Sequence, residues 1–275
     1  METVALFGAG GKMGTRLGKN LARTDFRVRH VEVSDAGIAR LKSEIGVDSV
    51  DPDMAIAGAQ VVILALPDTV IGKVAAGLVP KLDPGTIVVV LDAASPHAGH
   101  LPERADITYF VTHPCHPPIF NNETTEAGRK DHFGGVAAHQ GVVNALMQGP
   151  EEHYDIGDRV ARAIFAPVSR TYRVTVDQIA LLEPGLSETV CASLLTVMRE
   201  AMDEVVARGV PKECARDFLL GHMNILGAVI FEEVDGVFSD ACNKAIEYGV
   251  PALMKDDWKR VFEPQEILES VRRIT

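Results

Sequence analysis

The residues of this chain best suited to chemistry are a run of glycines at its start, a glutamate some twenty positions later and a histidine-rich loop near its middle. Gly8-Ala9-Gly10-Gly11-Lys12-Met13-Gly14 follows directly on the apolar Val4-Ala5-Leu6-Phe7 and leads into a helical pattern. A turn of this kind lets backbone N–H groups approach a pyrophosphate, while the next helix offers its N-terminus to the negative charge. The register is G-x-x-G-x-x-G through Gly8, Gly11 and Gly14, because Met13 occupies the third glycine position of the plain G-x-G-x-x-G. Glu32 ends the apolar run Arg27-Val28-Arg29-His30-Val31, where a carboxylate accepts both ribose hydroxyls of an adenosine and repels a 2′-phosphate. The expectation is a NAD site built from Gly8, Gly10, Gly11, Lys12, Met13 and Glu32, with Pro67 and Asp68 at the end of a later strand. The competing reading is the strand-turn-helix of some other α/β protein with an exposed glutamate.

The second cluster is Thr112-His113-Pro114-Cys115-His116-Pro117-Pro118. A histidine at a strand end facing the nicotinamide suits proton abstraction from a substrate hydroxyl, since imidazole titrates near neutrality. It also suits a turn cap or a cofactor contact. His113, Cys115 and His116, with His97 and His100, are zinc-ligand types, but their spacing matches no closed structural site. A catalytic divalent ion, zinc or magnesium, held by His113 and a carboxylate such as Glu188 is the better fit. Glu183 and Glu188 flank Pro184-Gly185 amid apolar residues, whereas Glu200 and Glu204 share a helix face and read as solvated. Asn243 and Lys244 are candidates to hold a substrate carboxylate or hydroxyls, or are an ordinary exposed pair.

These residues need a frame to position them. Continuous apolar runs at 61–66, 86–91 and 107–112 read as strands buried on both faces. Helical stretches separate most of them, so parallel crossovers are the economical topology. Gly8, Glu32, Pro67, Asp92 and His113 all fall at strand ends, where such sheets gather ligands. Residues 134–138 and 142–146 read as further strands, 154–165 as a helix and 172–176 as a short strand. From Gln178 the pattern is helical, broken at Glu183-Pro184-Gly185 and resumed over 186–208, 212–231, 239–248 and 264–273. The fold expected is α/β: an N-terminal doubly wound Rossmann domain, 1–176, with an all-α C-terminal domain, 177–275. The broad apolar faces of the latter imply a homodimer through the helical domain.

Composition agrees. With 275 residues, 47% hydrophobic and 24% charged, the chain suits a soluble globular protein with a sizeable core. A net charge of −11 argues against nucleic acid or an anionic membrane as partner, and an acidic substrate needs a local basic pocket. Four scattered cysteines, a strand starting within four residues of Met1 and no uninterrupted apolar run of spanning length point to a cytoplasmic protein.

The glycine turn, Ala65-Leu66-Pro67-Asp68, the Thr-His-Pro loop and the helical second half resemble the 6-phosphogluconate dehydrogenase-like superfamily over nearly the whole length. The stretches 7–14, 110–118 and 181–190 look most like the branch described as phosphogluconate dehydrogenase C-terminal-domain proteins. That resemblance implies NAD-dependent oxidation of a sugar acid at a CH–OH carbon followed by isomerisation. It makes His113 the base or metal ligand and Glu188 its partner, with Glu183 and His116 in support. Two features depart from the superfamily pattern: Gln178–Met198 contains no lysine, and Leu181 stands about where a catalytic lysine is expected. Prephenate dehydrogenase, a relative with its histidine in a similar loop, and a simple hydroxy-acid dehydrogenase are the alternative enzymes. A non-catalytic NAD-binding sensor is the alternative outside catalysis.

Overall fold

The computed structural model describes residues 2–275. Its seven strands, β1 (Thr3–Phe7), β2 (Arg27–Val31), β3 (Val61–Leu64), β4 (Ile87–Val90), β5 (Thr108–Pro114), β6 (Gln140–Gln148) and β7 (Val168–Arg173), form one sheet in the order β2-β1-β3-β4-β5-β6-β7. The first five pair in parallel, and the order reverses at β1 as in a Rossmann fold. β1, β3 and β4 are wholly buried, which explains why they read as continuous rather than alternating apolar runs. Alternate residues feed two cores: Phe7, Leu64, Val90 and Tyr109 enter one, Leu6, Ile63, Val89 and Phe110 the other.

Helices α1 (Lys12–Leu21), α2 (Asp35–Glu44), α3 (Pro52–Ile56), α4 (Asp68–Leu78), α5 (Ala94–His97), α6 (Glu126–Lys130), α7 (His153–Ile164) and α8 (Val176–Ala180) complete this part. α1 and α7 lie together on one face, and α8 packs on β6 and α5.

Three sequence expectations need correction. β6 runs antiparallel to β5 and is a single strand, not two. Residues 134–138 are no strand because the Asp131 carboxylate accepts the N–H groups of Gly134, Val136, Ala137 and Ala138, donors that a ladder would have used. The last strand runs Val168–Arg173, starting four residues before the expected start, and it ends before the expected 176 because Thr175 leaves the sheet to cap α8 through Gln178.

The chain forms two compact units, Met1–Pro184 with Leu268–Thr275, and Gly185–Ile267. The division expected at 176/177 therefore differs from these units, since α8 docks on the sheet. The second unit holds α9 (Ser193–Ala207), α10 (Lys212–Ile230), α11 (Asp240–Leu253) and the start of α12 (Pro264–Ile274). α9 and α10 pack together around an apolar groove of about 610 Å³. Phe218, Phe231 and Leu253 are exposed at 66%, 70% and 75% in this unit. The stretch Val176–Ala207 is long and apolar enough to cross a membrane by length and composition, with mean hydropathy 1.2. Its backbone leaves helical geometry at Glu183, so it is not one continuous helix.

Candidate active site

The glycine turn is built on backbone-to-backbone contact. Gly8 takes φ +73°, and a Cβ there would lie 2.2 Å from the carbonyl oxygen of Ala65. At Gly14 a Cβ would come within 2.0 Å of the Gly8 oxygen, so only glycine lets α1 start so close to the end of β1. α1 has Gly11 at its cap and no side chain accepting its first N–H groups. Those donors are open to a phosphate. Lys12 and Met13 stand on this first turn.

Glu32 closes the far side. Its Oε2 accepts the Gly10 N–H at 3.0 Å, and its Oε1 accepts the backbone N–H groups of Val33 and Ser34 and the Ser34 hydroxyl, each at 2.9 Å. Burial pushes this carboxyl upward, but the donors of Ser34, Val33 and Gly10 together outweigh it and hold the group below its ordinary value. Glu32 is thus a fixed anion that also ties the glycine turn to the end of β2. A cavity of about 240 Å³ opens beside it, walled by Val31, Leu66, Val74 and Leu78.

At the other end of the crevice His113 is held by the end of β4. Its Nδ1 lies 2.9 Å from the Leu91 carbonyl oxygen and 3.4 Å from Asp92 Oδ2. A carbonyl oxygen can only accept, so Nδ1 carries a proton, and Nε2 is the nitrogen that exchanges a proton with a substrate. That nitrogen faces Glu183 Oε2 at 3.9 Å. Pro184 places the glutamate there, because a residue preceding proline is driven out of the helical region, and Glu183 has φ −137° and ψ 105°. Asp92 Oδ1 accepts the Ala94 N–H, and burial pushes the Asp92 carboxyl up against the opposing pull of His113 and that N–H. Asp68 heads α4 with Pro67 as its cap, and its buried Oδ1 has no hydrogen-bond partner among the described residues. His116, at φ 61°, turns its Nδ1 to the Phe133 carbonyl oxygen and meets the His113 ring edge-on at 6.1 Å.

Comparison with known proteins decides the family. Residues 121–275 match the family described as phosphogluconate dehydrogenase (decarboxylating) C-term, and residues 3–94 match NADP oxidoreductase coenzyme F420-dependent. The chain is 70% identical over 275 residues, all of both chains, to D-apionate oxidoisomerase from Rhizobium rhizogenes. It is 66% identical over 274 residues to the same enzyme from Cupriavidus necator, covering 100% of this chain and 99% of the other. The chain belongs to the D-apionate oxidoisomerase family. A solved structure, a semialdehyde dehydrogenase NAD-binding protein from Cupriavidus necator in complex with calcium and NAD, superposes with TM-score 0.99 at 66% identity over 100% of both chains. A ketol-acid reductoisomerase from an uncultured archaeon shares the fold alone, with TM-score 0.69 and 17% identity over 99% of this chain and 82% of its own.

Within this member of the D-apionate oxidoisomerase family, the first unit gathers the glycines, Glu32, Pro67, Asp68, His113, His116 and Glu183 along the carboxyl ends of the parallel strands. Glu188, Asn243 and Lys244 belong to the helical unit, where Asn243 and Lys244 lie exposed on α11. Sequence reasoning gave Asp92 no role. Its signal was an acid ending the strand beside the one that ends in histidine. The metal pair His113 and Glu188 supplies two donors from different units, and among the described residues no group of three or more His, Cys, Asp or Glu side chains is arranged to hold a metal ion.

Asp68 yields a pH prediction. Burial first, and the charge of Asp92 second, raise its carboxyl to about 6, whereas an unfolded aspartate ionises near about 3.9. The folded chain binds that proton more tightly, so this group removes stability as pH rises from about 4 to about 6. Asp68→Asn is expected to be more stable than wild type by about 1 kcal/mol at neutral pH, after discounting for partial exposure, and to lose that gain near pH 4. Thermal melts of both proteins across this range check it, and equal Tm at neutral pH refutes it.

Proposed function

We propose that the chain oxidises and isomerises D-apionate to 3-oxo-isoapionate with NAD as electron acceptor. The observation that carries this reading is the 70% identity, end to end, to the Rhizobium rhizogenes enzyme. The backbone-lined glycine cradle and the uncapped start of α1 suit a pyrophosphate, and the cavity beside Glu32 suits an adenosine. Fixed as an anion, Glu32 favours the ribose hydroxyls of NAD over a 2′-phosphate. NAD bound there would supply a hydride acceptor for the carbinol carbon next to the substrate carboxylate.

The chain's own residues handle the protons. His113 Nε2 takes the proton of the C2 hydroxyl as the hydride departs, which leaves a 2-oxo-3-hydroxy acid. Asp92 and the Leu91 carbonyl oxygen hold the imidazolium through Nδ1. Glu183 then removes the C3 hydroxyl proton, a hydroxymethyl group moves with its bonding pair from C3 to C2, and His113 returns its proton to the C2 oxygen. The second step neither gains nor loses atoms or electrons, so oxidation alone consumes the cofactor.

Incubation with D-apionate and either NAD or NADP, followed by carbon NMR of the product, tests the reading. NAD-linked formation of the rearranged 3-oxo acid is expected. An unrearranged 2-oxo acid leaves only a dehydrogenase, and preference for NADP removes Glu32 from its role. The exposed apolar side chains of Phe218, Ile230 and Phe231 support a homodimer through the helical unit, checked by the mass in solution, where a monomer refutes it. Four free cysteines support a reducing, cytoplasmic compartment.

A further inference from the structure

We infer that the polar cavity beyond the His113 loop seats the carboxylate of the sugar-acid substrate, with Arg170 as its anchor; this rests on the function proposed above. A sugar acid is an anion and the chain carries a net charge of −11, so the attraction has to be local. The corner around His113 repels a further carboxylate, because Asp68, Asp92 and Glu183 already crowd it. A substrate whose hydroxyl meets Nε2 must turn its charged end away from them.

The sheet provides the direction. His113 pairs with Val143 and Val143 with Tyr172, so these three share one face, and Arg170 lies two residues from Tyr172 on that same face, opposite Gly141. Strand spacing of about 4.8 Å and a rise of about 3.4 Å per residue put the Cα atoms of His113 and Arg170 about 12 Å apart. Across that distance an arginine side chain and a short hydroxy acid can together span from one residue to the other. Gly141 has no side chain of its own, and a Cβ there would meet Cys115 Sγ at 3.3 Å and Tyr172 Cε2 at 3.4 Å, so those two side chains form the floor between them.

The cavity here has a volume of about 640 Å³ and begins at His116, whose ring touches that of His113 edge-on. Glu123, an acid in its wall, is engaged by His139 through Nδ1 at 2.9 Å and backbone N–H at 2.7 Å. Among the described residues no carboxylate pairs with Arg170, although fourteen ion pairs engage other arginines and lysines. Its guanidinium is therefore available for bidentate capture of a carboxylate. Asn122, Thr124 and Tyr172 add groups suited to sugar hydroxyls.

The test compares wild type with Arg170→Gln and Arg170→Lys, all exposed-site changes on an edge strand. Arg170→Gln is expected to raise KM for D-apionate on the order of 10- to 100-fold, with kcat and NAD affinity little changed, and lysine should restore part of the loss. The uncharged amide of the acid should be handled equally by wild type and Arg170→Gln. An unchanged KM, or an equal loss on acid and amide, overturns the subsite. If wild type fails to turn over D-apionate, the functional reading falls on its own. Calorimetric binding of D-glycerate then decides the subsite: binding lost in Arg170→Gln sustains it, and equal binding, or none to either protein, overturns it.

Discussion

Replacing His113 with alanine is expected to cut turnover of D-apionate 10²- to 10⁴-fold while leaving NAD affinity nearly unchanged. The two effects separate in the proposed reading, where the imidazole meets the reacting hydroxyl while the glycine turn and Glu32, tied to each other by the Gly10 N–H, hold the pyrophosphate and ribose at the other end of the crevice. Single-turnover NADH formation and fluorescence titration of NAD measure them independently. Near-normal turnover at saturating substrate removes His113 as the base. Asp92→Asn should cost less, because the Leu91 carbonyl oxygen still fixes the ring tautomer and only the charge facing the imidazolium is lost. Glu188→Gln, in the same assay, tests the partnership expected from sequence. Groups acting as one unit are strongly non-additive, so the His113 and Glu188 double variant should be little worse than the more damaging single change.

The cofactor end of the crevice was legible in the chain because its causes are local. A glycine turn between an apolar strand and a helix, with an acid ending the next strand, encodes its geometry in consecutive residues. The catalytic end was only partly legible. His113 was visible as a strand-end histidine, yet the carboxylates around it depend on which strands become neighbours. Val90 pairs with Val111, so continuing that register brings Asp92 to His113, a pairing that their common place at strand ends left unspecified. The sequence placed Glu183 only in support of Glu188, and the backbone break forced by Pro184 is what brings Glu183 to Nε2. The strand expected at 134–138 failed for a similar reason. Asp131, a few residues earlier, takes the backbone donors that apolar character alone assigned to a ladder. Arg170 stayed invisible because its value lies in register with Gly141 and in the absence of a carboxylate partner among the described residues.

Glu183→Gln is expected to uncouple the two halves of the reaction. Oxidation needs one base, and His113 retains its lone pair at Nε2 in this variant. Isomerisation needs a proton removed from C3–OH while another is delivered to the C2 oxygen, and glutamine cannot accept the first. NADH formation should therefore fall only moderately, about tenfold or less, while the rearranged 3-oxo acid falls 10²-fold or more and the unrearranged 2-oxo-3-hydroxy acid accumulates. Glu183→Asp should recover some rearrangement, because the carboxylate is kept and only its reach is shortened. Adding His113→Ala to Glu183→Gln should suppress NADH formation to the level of His113→Ala alone, since oxidation comes first. Carbon NMR of the product beside spectrophotometric NADH reads the partition. A proportional fall of both in Glu183→Gln would show that the glutamate only orients His113, and the base for the alkyl shift would then have to come from another group.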